Sequence, residues 1–266
     1  MSTVTATENR VGGLLRDWRQ RRRLSQMDLA LEAGISTRHL SFVETGRSRP
    51  SPEMVVNLAE QLEVPLRERN QLLLAAGYAP SYEARSFDDP ALSGVRAAVS
   101  RVLAAHEPYP AIAVDRQWNL IASNEALGPM LEGVAPHLLV PPVNTIRLAL
   151  HPEGVAPRII NLGEYRADLL QRLERAARLT GDAGLMELRR EMLGYPGAGG
   201  ADSATRGPES AVTVQLQLAT ADGHRLAFFS TITTFGTAID VTVSELAVEA
   251  FFPANPETAE RLRATA

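Results

Sequence analysis

Apolar residues in the first 80 positions recur at three- and four-residue spacing, the period of amphipathic helices. Val11, Leu14, Leu15 and Trp18 form one such face and predict a helix over about 10–23. Two short helices follow in LSQMDLALEAGISTRHLSFVETGRSRP, residues 24–50. Ser25 is placed to cap the first, with Asp28 at its third helical position. Leu24, Leu29, Ala30 and Ala33 make its buried side. Gly34 stands where a helix ends in the left-handed conformation, which glycine enters without steric cost. Ser36 caps the next helix, Leu40 and Val43 face inward, and Gly46 closes it. Ser51-Pro52 opens a fourth helix over about 52–62. A fifth, about 65–76, stops at Gly77, and 78–81 reads as a linker.

Beyond residue 81 the periods mix. A helix is predicted at about 90–106, and two strands within 109–123 around the polar turn Asp115-Arg116-Gln117. A helix is expected at 124–131, then an irregular Pro-rich stretch at 136–146. Further helices are expected at 144–151, 157–180 and 182–193. The Gly/Ala/Ser/Pro-rich stretch 194–210 reads as a mobile linker. Strands are expected at 211–220, 225–235 and 238–243, the first two joined by the tight turn Ala221-Asp222-Gly223. A last helix fits 256–264. The expected fold class is α+β: an all-α five-helix head (1–80), then a domain (81–266) with an antiparallel sheet of about five strands and helices on one side.

Charge changes the picture. The chain of 266 residues carries a net charge of −4, which by itself speaks against nucleic acid. Residues 10–50, however, hold nine Arg against four acidic residues, and residues 81–266 hold 16 Arg against 22 acids. A basic head on an acidic body turns the head toward phosphates. All the basic residues are Arg, which we read as coding bias more than chemistry. There is no Cys, which excludes disulfides and thiolate metal sites and suits a cytoplasmic protein. No run of about 18 apolar residues predicts a membrane span. The N-terminal MSTVTATENR lacks an apolar signal region and reads as a loose arm.

The pattern L-S-Q-x-x-L-A-x-x-A-G-I-S-x-x-x-L-x-x-x-E-x-G resembles the XRE, or Cro/C1, helix-turn-helix family, over about residues 10–76. In that geometry the second helix of the motif enters the major groove while the first crosses the backbone. Double-stranded DNA is therefore the expected partner. Thr37, Arg38 and Ser41 fall on the outward face of the third helix, Arg38 suited to fork onto a guanine. Gln26 and Ser36, at helix starts, suit phosphate. Phe42 is either partly buried or touches bases. Arg47 and Arg49, in the loop that follows, suit backbone contacts. Arg19 and Glu44 match a charged pair that ties the first helix to the recognition helix in that family. One helix-turn-helix buries too little surface for tight site selection, so a homodimer is expected.

PYPAIAVDRQWNLIASN (108–124), PPVNTIRLALHPEG (141–154) and the segment 228–259 extend the likeness. With the head, the whole chain resembles the MmyB-like transcription regulators, which couple an XRE head to a PAS-like ligand-binding domain. The resemblance implies a small lipophilic ligand, such as a fatty acid, held near the strand-to-helix junction by Trp118, Ile121, Leu127, Met130 and Leu131. Phe228 comes from a later strand, and alternation sends Phe229 to the opposite face. These apolar residues either line a cavity or fill a solid core. Asn124 either caps the following helix or meets the ligand. Asn144 and Arg147 are polar candidates for a head group, Arg147 either pairing a carboxylate or forming a surface salt bridge.

No catalytic set is visible, and none of the five His residues (39, 106, 137, 151, 224) shows metal-ligand spacing with another. Gly197 to Gly200 does not follow a strand and open a helix, as a phosphate loop must. The chain is thus expected to be a non-enzymatic DNA-binding regulator without catalytic cofactor or metal. The alternative is a ligand-independent regulator whose second domain serves dimerisation or protein interaction.

Overall fold

The computed structural model describes residues 4–196 and 214–265. The chain forms two compact units. The first holds residues up to Arg85, with Arg178–Thr180 and Thr237–Ser244; the second holds Ser86–Ala177, Gly181–Gly236 and Glu245 onward.

Five helices make up most of the first unit: α1 (Val4–Arg21), α2 (Gln26–Glu32), α3 (Thr37–Glu44), α4 (Pro52–Gln61) and α5 (Leu66–Ala75). Serine starts three of them. Ser25 and Asp28 form a reciprocal capping box on α2, and Ser36 and Ser51 accept from the third amides of α3 and α4. Each cap satisfies a backbone donor that the helix itself cannot. Gly34 turns at φ +67° between α2 and α3. Leu15, Leu29, Leu40, Leu58, Leu62, Leu72 and Leu73 interlock at the centre, almost wholly shielded from solvent. Gly12 lets α1 lie directly on α3: a Cβ there would stand 2.3 Å from the Val43 carbonyl oxygen.

The second unit is built on one antiparallel sheet of β1 (Ala111–Val114), β2 (Leu120–Ser123), β3 (Leu216–Ala219), β4 (Arg225–Thr234) and β5 (Ala247–Pro253). The spatial order is β2-β1-β5-β4-β3. Both faces are covered, contrary to the one-sided expectation. One face carries α7 (Thr145–Leu150), α8 (Leu162–Thr180) and α9 (Ala183–Leu193), whose Ile146, Leu148, Leu169, Leu173, Leu185 and Met192 pack with Ile112, Phe228 and Phe251. The other carries α6 (Ser93–Ala105), whose Val99 and Leu103 meet Ala111, Ala113 and Val248. Alternation along β1 and β5 divides their side chains between the two clusters.

The last expected strand is misplaced. Residues 238–243 do not form one; Val241–Ser244 is a single helical turn, α10, and the central strand is β5. The Asp240 carboxylate accepts from the amides of Thr242 (2.9 Å) and Val243 (3.3 Å). This local bond outcompetes the apolar alternation of AIDVTV. The helix expected at 124–131 is a 3₁₀ stretch, Glu125–Leu131, with Pro129 inside it. The long helix begins at Leu162, because Ala156–Arg158 closes a separate 3₁₀ turn. Asn161 then fastens the start of α8 to β3, donating to the Gln215 carbonyl at 2.8 Å and accepting from the Gln217 amide at 3.2 Å. The chain ends on α11 (Pro256–Thr265). Most of the expected linker at 194–210, and residues 211–213 of the strand predicted from 211, lie outside the described residues.

Candidate functional site

In the helical unit, α3 is fixed from behind and presents its other side outward. The Glu44 side chain is 1% exposed and receives Arg19 in a two-pronged bond, Nε to Oε1 at 2.7 Å and Nη2 to Oε2 at 2.9 Å. Arg19 Nη1 also donates to the Leu24 carbonyl at 2.8 Å, and Gln26 Nε2 donates to Glu44 Oε2 at 2.8 Å. Three helices are thereby held by one carboxylate. The hydrogen bond to Glu44 raises the Arg19 guanidinium above its ordinary value.

Thr37 and Arg38 are exposed on the outer face of α3, with Ser41 half-buried beside them. Phe42 is half-buried and serves as a platform. Arg38 Cζ lies 5.4 Å from its ring centroid and Arg47 Cζ lies 5.9 Å from it. Two guanidinium groups thus share one aromatic ring, a cation–π arrangement that limits where each can point. The Ser36 hydroxyl accepts from the His39 amide at 3.1 Å. Arg49 is placed differently from the sequence expectation. It donates to the Ala76 carbonyl at 3.0 Å and lies over Tyr78, so it ties the α3–α4 loop to the end of α5. Arg22, in the run 21–23, donates to the carbonyls of Leu62 and Glu63 at 2.8 Å each and caps the end of α4.

The second unit contains a cavity between the sheet and its helical cover, with an empty volume of about 650 Å³, its open mouth included. The wall is almost entirely apolar: Ile112 and Leu120 from the sheet; Leu127, Met130 and Leu131 from the 3₁₀ stretch; Ile146 and Leu148 from α7; Leu169 from α8; Leu216 and Phe251 from the later strands. Tyr165, Thr145 and Glu249 add polar groups. Glu249, on β5, is 5% exposed. Its Oε1 accepts from Arg172 Nη1 at 3.0 Å and from Ser230 Oγ at 2.7 Å. Arg172 Nε donates to Asp168 at 3.0 Å. Burial would lower the Arg172 value, but Glu249 and Asp168 outweigh it and hold it above normal. Burial, reinforced by the Glu249 charge, pushes the Tyr165 hydroxyl well above its ordinary range.

A model of the MmyB-like transcription regulator ligand binding domain matches residues 95–264. The chain belongs to this family. A helix-turn-helix model matches residues 15–69 of the regulator, making its head XRE-type. A DNA-binding helix-turn-helix joined to such a domain is the make-up of a ligand-responsive transcription regulator. No curated protein matches the chain. Among solved structures, the restriction-modification controller protein C.AhdI from Aeromonas hydrophila is 31% identical, covering 24% of the regulator and 97% of that chain at a TM-score of 0.23. The clp gene regulator ClgR from C. glutamicum is 24% identical, covering 27% and 88% at 0.24. An RNA-binding light-oxygen-voltage receptor is 13% identical, covering 98% and 64% at 0.31.

Of the expected ligand residues, Leu127, Met130 and Leu131 line the regulator's cavity; the rest stand elsewhere. Trp118 sits in the β1–β2 turn at φ +66°, its carbonyl taken by the amide and hydroxyl of Thr145. Ile121 faces the α6 side of the sheet, one residue out of phase with Leu120. Phe228 is fully buried in the solid core against Phe251. Asn124 neither caps the 3₁₀ stretch nor reaches the cavity; it accepts from the Ala111 amide at 2.9 Å and donates to the Tyr109 carbonyl at 2.7 Å. Asn144 caps α7 and donates to the Gln117 carbonyl at 2.7 Å. Arg147 is bound to Glu191 at 2.7 and 2.8 Å, away from the cavity wall, so it does not await a ligand carboxylate. That bond holds Glu191 below the usual carboxylate range. Burial and a 2.6 Å bond to Glu191 push the Tyr195 hydroxyl up to about 12.

Glu249 and Tyr165 escaped the sequence reading. The available signal was a lone acid in the apolar run AVEAFF. Folding also brings together two His residues that the sequence separates: donor atoms of His137, His151 and Glu153 lie within 4.8 Å of one another at the surface, a grouping able to hold a metal ion. Among the described residues, no helix is long and apolar enough to cross a membrane.

Proposed function

We propose that this MmyB-like regulator binds double-stranded operator DNA in the cytoplasm as a homodimer, through residues 1–80. A small lipophilic molecule of fatty-acid size, held within residues 81–266, modulates that binding. In the head, Arg38 reads a base edge from the outward face of α3, with Thr37 and Ser41 beside it. Arg47 contacts phosphate. Phe42 supports both arginines, and the Arg19–Glu44 pair sets the angle of α3. Gln26 is left to reach phosphate with its remaining amide hydrogen.

The apolar cavity is the observation that carries the ligand reading. Concave sites lined by apolar side chains with a few polar groups are typical of small-molecule binding. A domain serving only assembly calls for a packed core and an exposed apolar face, and the cavity favours sensing over that alternative. The family matches support a regulator over an enzyme. A ligand changes DNA affinity only through different affinities for two conformations. The test is native mass spectrometry of the purified chain, followed by operator binding with and without the extracted molecule. A dimer carrying a lipophilic adduct that alters operator affinity is expected. A monomer both free and on DNA refutes the dimer, and an adduct-free protein whose melting temperature no lipophilic compound shifts refutes the sensing role.

A further inference from the structure

Folding gathers two imidazoles and a carboxylate outside the cavity. His137 lies in the 3₁₀ turn Pro136–Leu139, and His151 is the residue that ends α7. Glu153 follows in the next turn. One ligating atom from each lies within 4.8 Å of the others, and His137 Nε2 stands 4.0 Å from Glu153 Oε2. The two imidazole rings meet edge to face, 5.7 Å between centroids. Among the described residues, no other three His or acidic side chains gather in this way.

Main-chain bonds hold the two segments in place. The Ala135 amide donates to the Glu153 carbonyl, the His151 amide to the Arg147 carbonyl and the Gly154 amide to the His151 carbonyl, each at 2.9 Å. Gly154 closes its turn so tightly that a Cβ there would stand 2.2 Å from the Leu148 carbonyl oxygen. Ligands on a fixed backbone need only side-chain rotation to meet an ion. Tetrahedral bonds of about 2.0–2.1 Å set ligating atoms about 3.3 Å apart. The three side chains therefore close by no more than about 1.5 Å. The side chains of His137 and Glu153 are 59% and 66% exposed, so rotation meets little resistance. His151 Nδ1 accepts from the Glu153 amide at 3.0 Å. A metal at Nδ1 displaces that bond, and a metal at Nε2 requires the tautomer protonated at Nδ1, which gives it up. In either case one exposed amide turns to water.

We propose that His137, His151 and Glu153 bind one transition-metal ion of the Zn²⁺ class, with water completing its coordination. The donor set decides the class. Imidazole nitrogens with one carboxylate suit Zn²⁺ and its first-row neighbours, whereas Ca²⁺ and Mg²⁺ favour oxygen ligands throughout. None of the three residues belongs to the cavity wall, so this site is separate from that of the lipophilic ligand. The chain nevertheless connects the two. Leu131 precedes the 3₁₀ turn, Leu148 and Val155 flank His151, and all three line the cavity. A bound ion fastens these parts of the wall to each other.

The test uses the full chain, freed of metal by a chelator and titrated with zinc chloride by calorimetry. One saturable equivalent per chain is expected, with none for magnesium chloride. Zinc is also expected to raise the melting temperature, because the ion binds the folded arrangement. Changing residues that merely orient metal ligands costs about 10–100-fold in affinity. His137→Ala and Glu153→Gln remove ligands themselves from exposed positions, so each is expected to keep its circular dichroism spectrum and to lose at least about tenfold in zinc affinity. His224→Ala, at an exposed His in the β3–β4 turn, is expected to bind zinc as the parent does. Should His137→Ala fail to fold, Glu153→Gln decides alone. Absence of saturable zinc binding, magnesium binding as tightly as zinc, affinity unchanged in the ligand variants, or an equal loss in His224→Ala overturns the site.

Discussion

Removing the Arg19 side chain from the Glu44 bridge is the sharpest test of how the head is held. Arg19→Ala leaves a carboxylate that is 1% exposed facing only the Gln26 amide. Breaking a buried pair by deleting one partner costs about 3–5 kcal/mol, since the survivor stays desolvated. The retained Gln26 bond and the 11% exposure of Arg19 place the expected loss at the low end, about 3 kcal/mol. The lost bond to the Leu24 carbonyl adds about 1 kcal/mol. The assay is urea unfolding of the full chain in a Trp118→Phe background, where Trp18 becomes the only indole and reports on the head. The paired replacement Arg19→Met with Glu44→Leu removes both charges together. Apolar replacement of a whole buried pair is often neutral in stability, so this double variant is expected within about 1 kcal/mol of the parent. Its operator affinity is nevertheless expected to fall, because α3 loses the bond that sets its angle. A loss under about 1 kcal/mol in Arg19→Ala, or a double variant as unstable as the single one, refutes the argument that Glu44 is a desolvated charge.

Arg38→Ala is expected to cost about 1–3 kcal/mol on the preferred operator and to relax one base position in a binding-site selection. Arg47→Ala is expected to weaken all sequences alike and to flatten the salt dependence in a filter-binding series. Gly12→Ala is expected to cost about 1–3 kcal/mol of head stability in a thermal melt, because its methyl group collides with α3 backbone that cannot move alone. Glu191 has a depressed value in the folded state, so the stability from its Arg147 bond is complete above the ordinary glutamate value and is lost as pH falls through the depressed one. Carboxyl NMR titration is expected to show Glu191 protonating below the ordinary glutamate value, and Arg147→Ala to move it back toward the ordinary range.

The head was legible because its determinants are local. Ser25, Gly34, Ser36 and Ser51 each act within four residues of chain, and the Leu, Val and Ala positions between them keep helical period. The second unit was legible in outline only. Its first two strands flank a polar turn, and the β3–β4 hairpin turns on Asp222-Gly223. The central strand was hidden because Glu249 interrupts its apolar run, while AIDVTV mimics a strand that one Asp240 cap converts into a helical turn. The head-group candidate failed for a different reason: Arg147 finds its partner 44 residues away, across a fold that no spacing rule reveals. The same distance effect hid Glu249, whose Arg172 lies 77 residues back.

The central position of β5 carries a consequence for how the domain deforms. Glu249 and Phe251 border the cavity, while Val248 and Ala250, their immediate neighbours in the chain, belong to the cluster of Val99 and Leu103 on the far side. One peptide thickness separates two interiors. Close-packed interiors have little compressibility and pass strain on, so an occupant that displaces β5 outward presses Val248 and Ala250 toward α6. The strand behaves as a shared diaphragm, and volume added on one side must be found on the other. Substitutions that enlarge Val99 or Leu103 stiffen that diaphragm from behind, and so change how readily the cavity accommodates a guest without touching its wall.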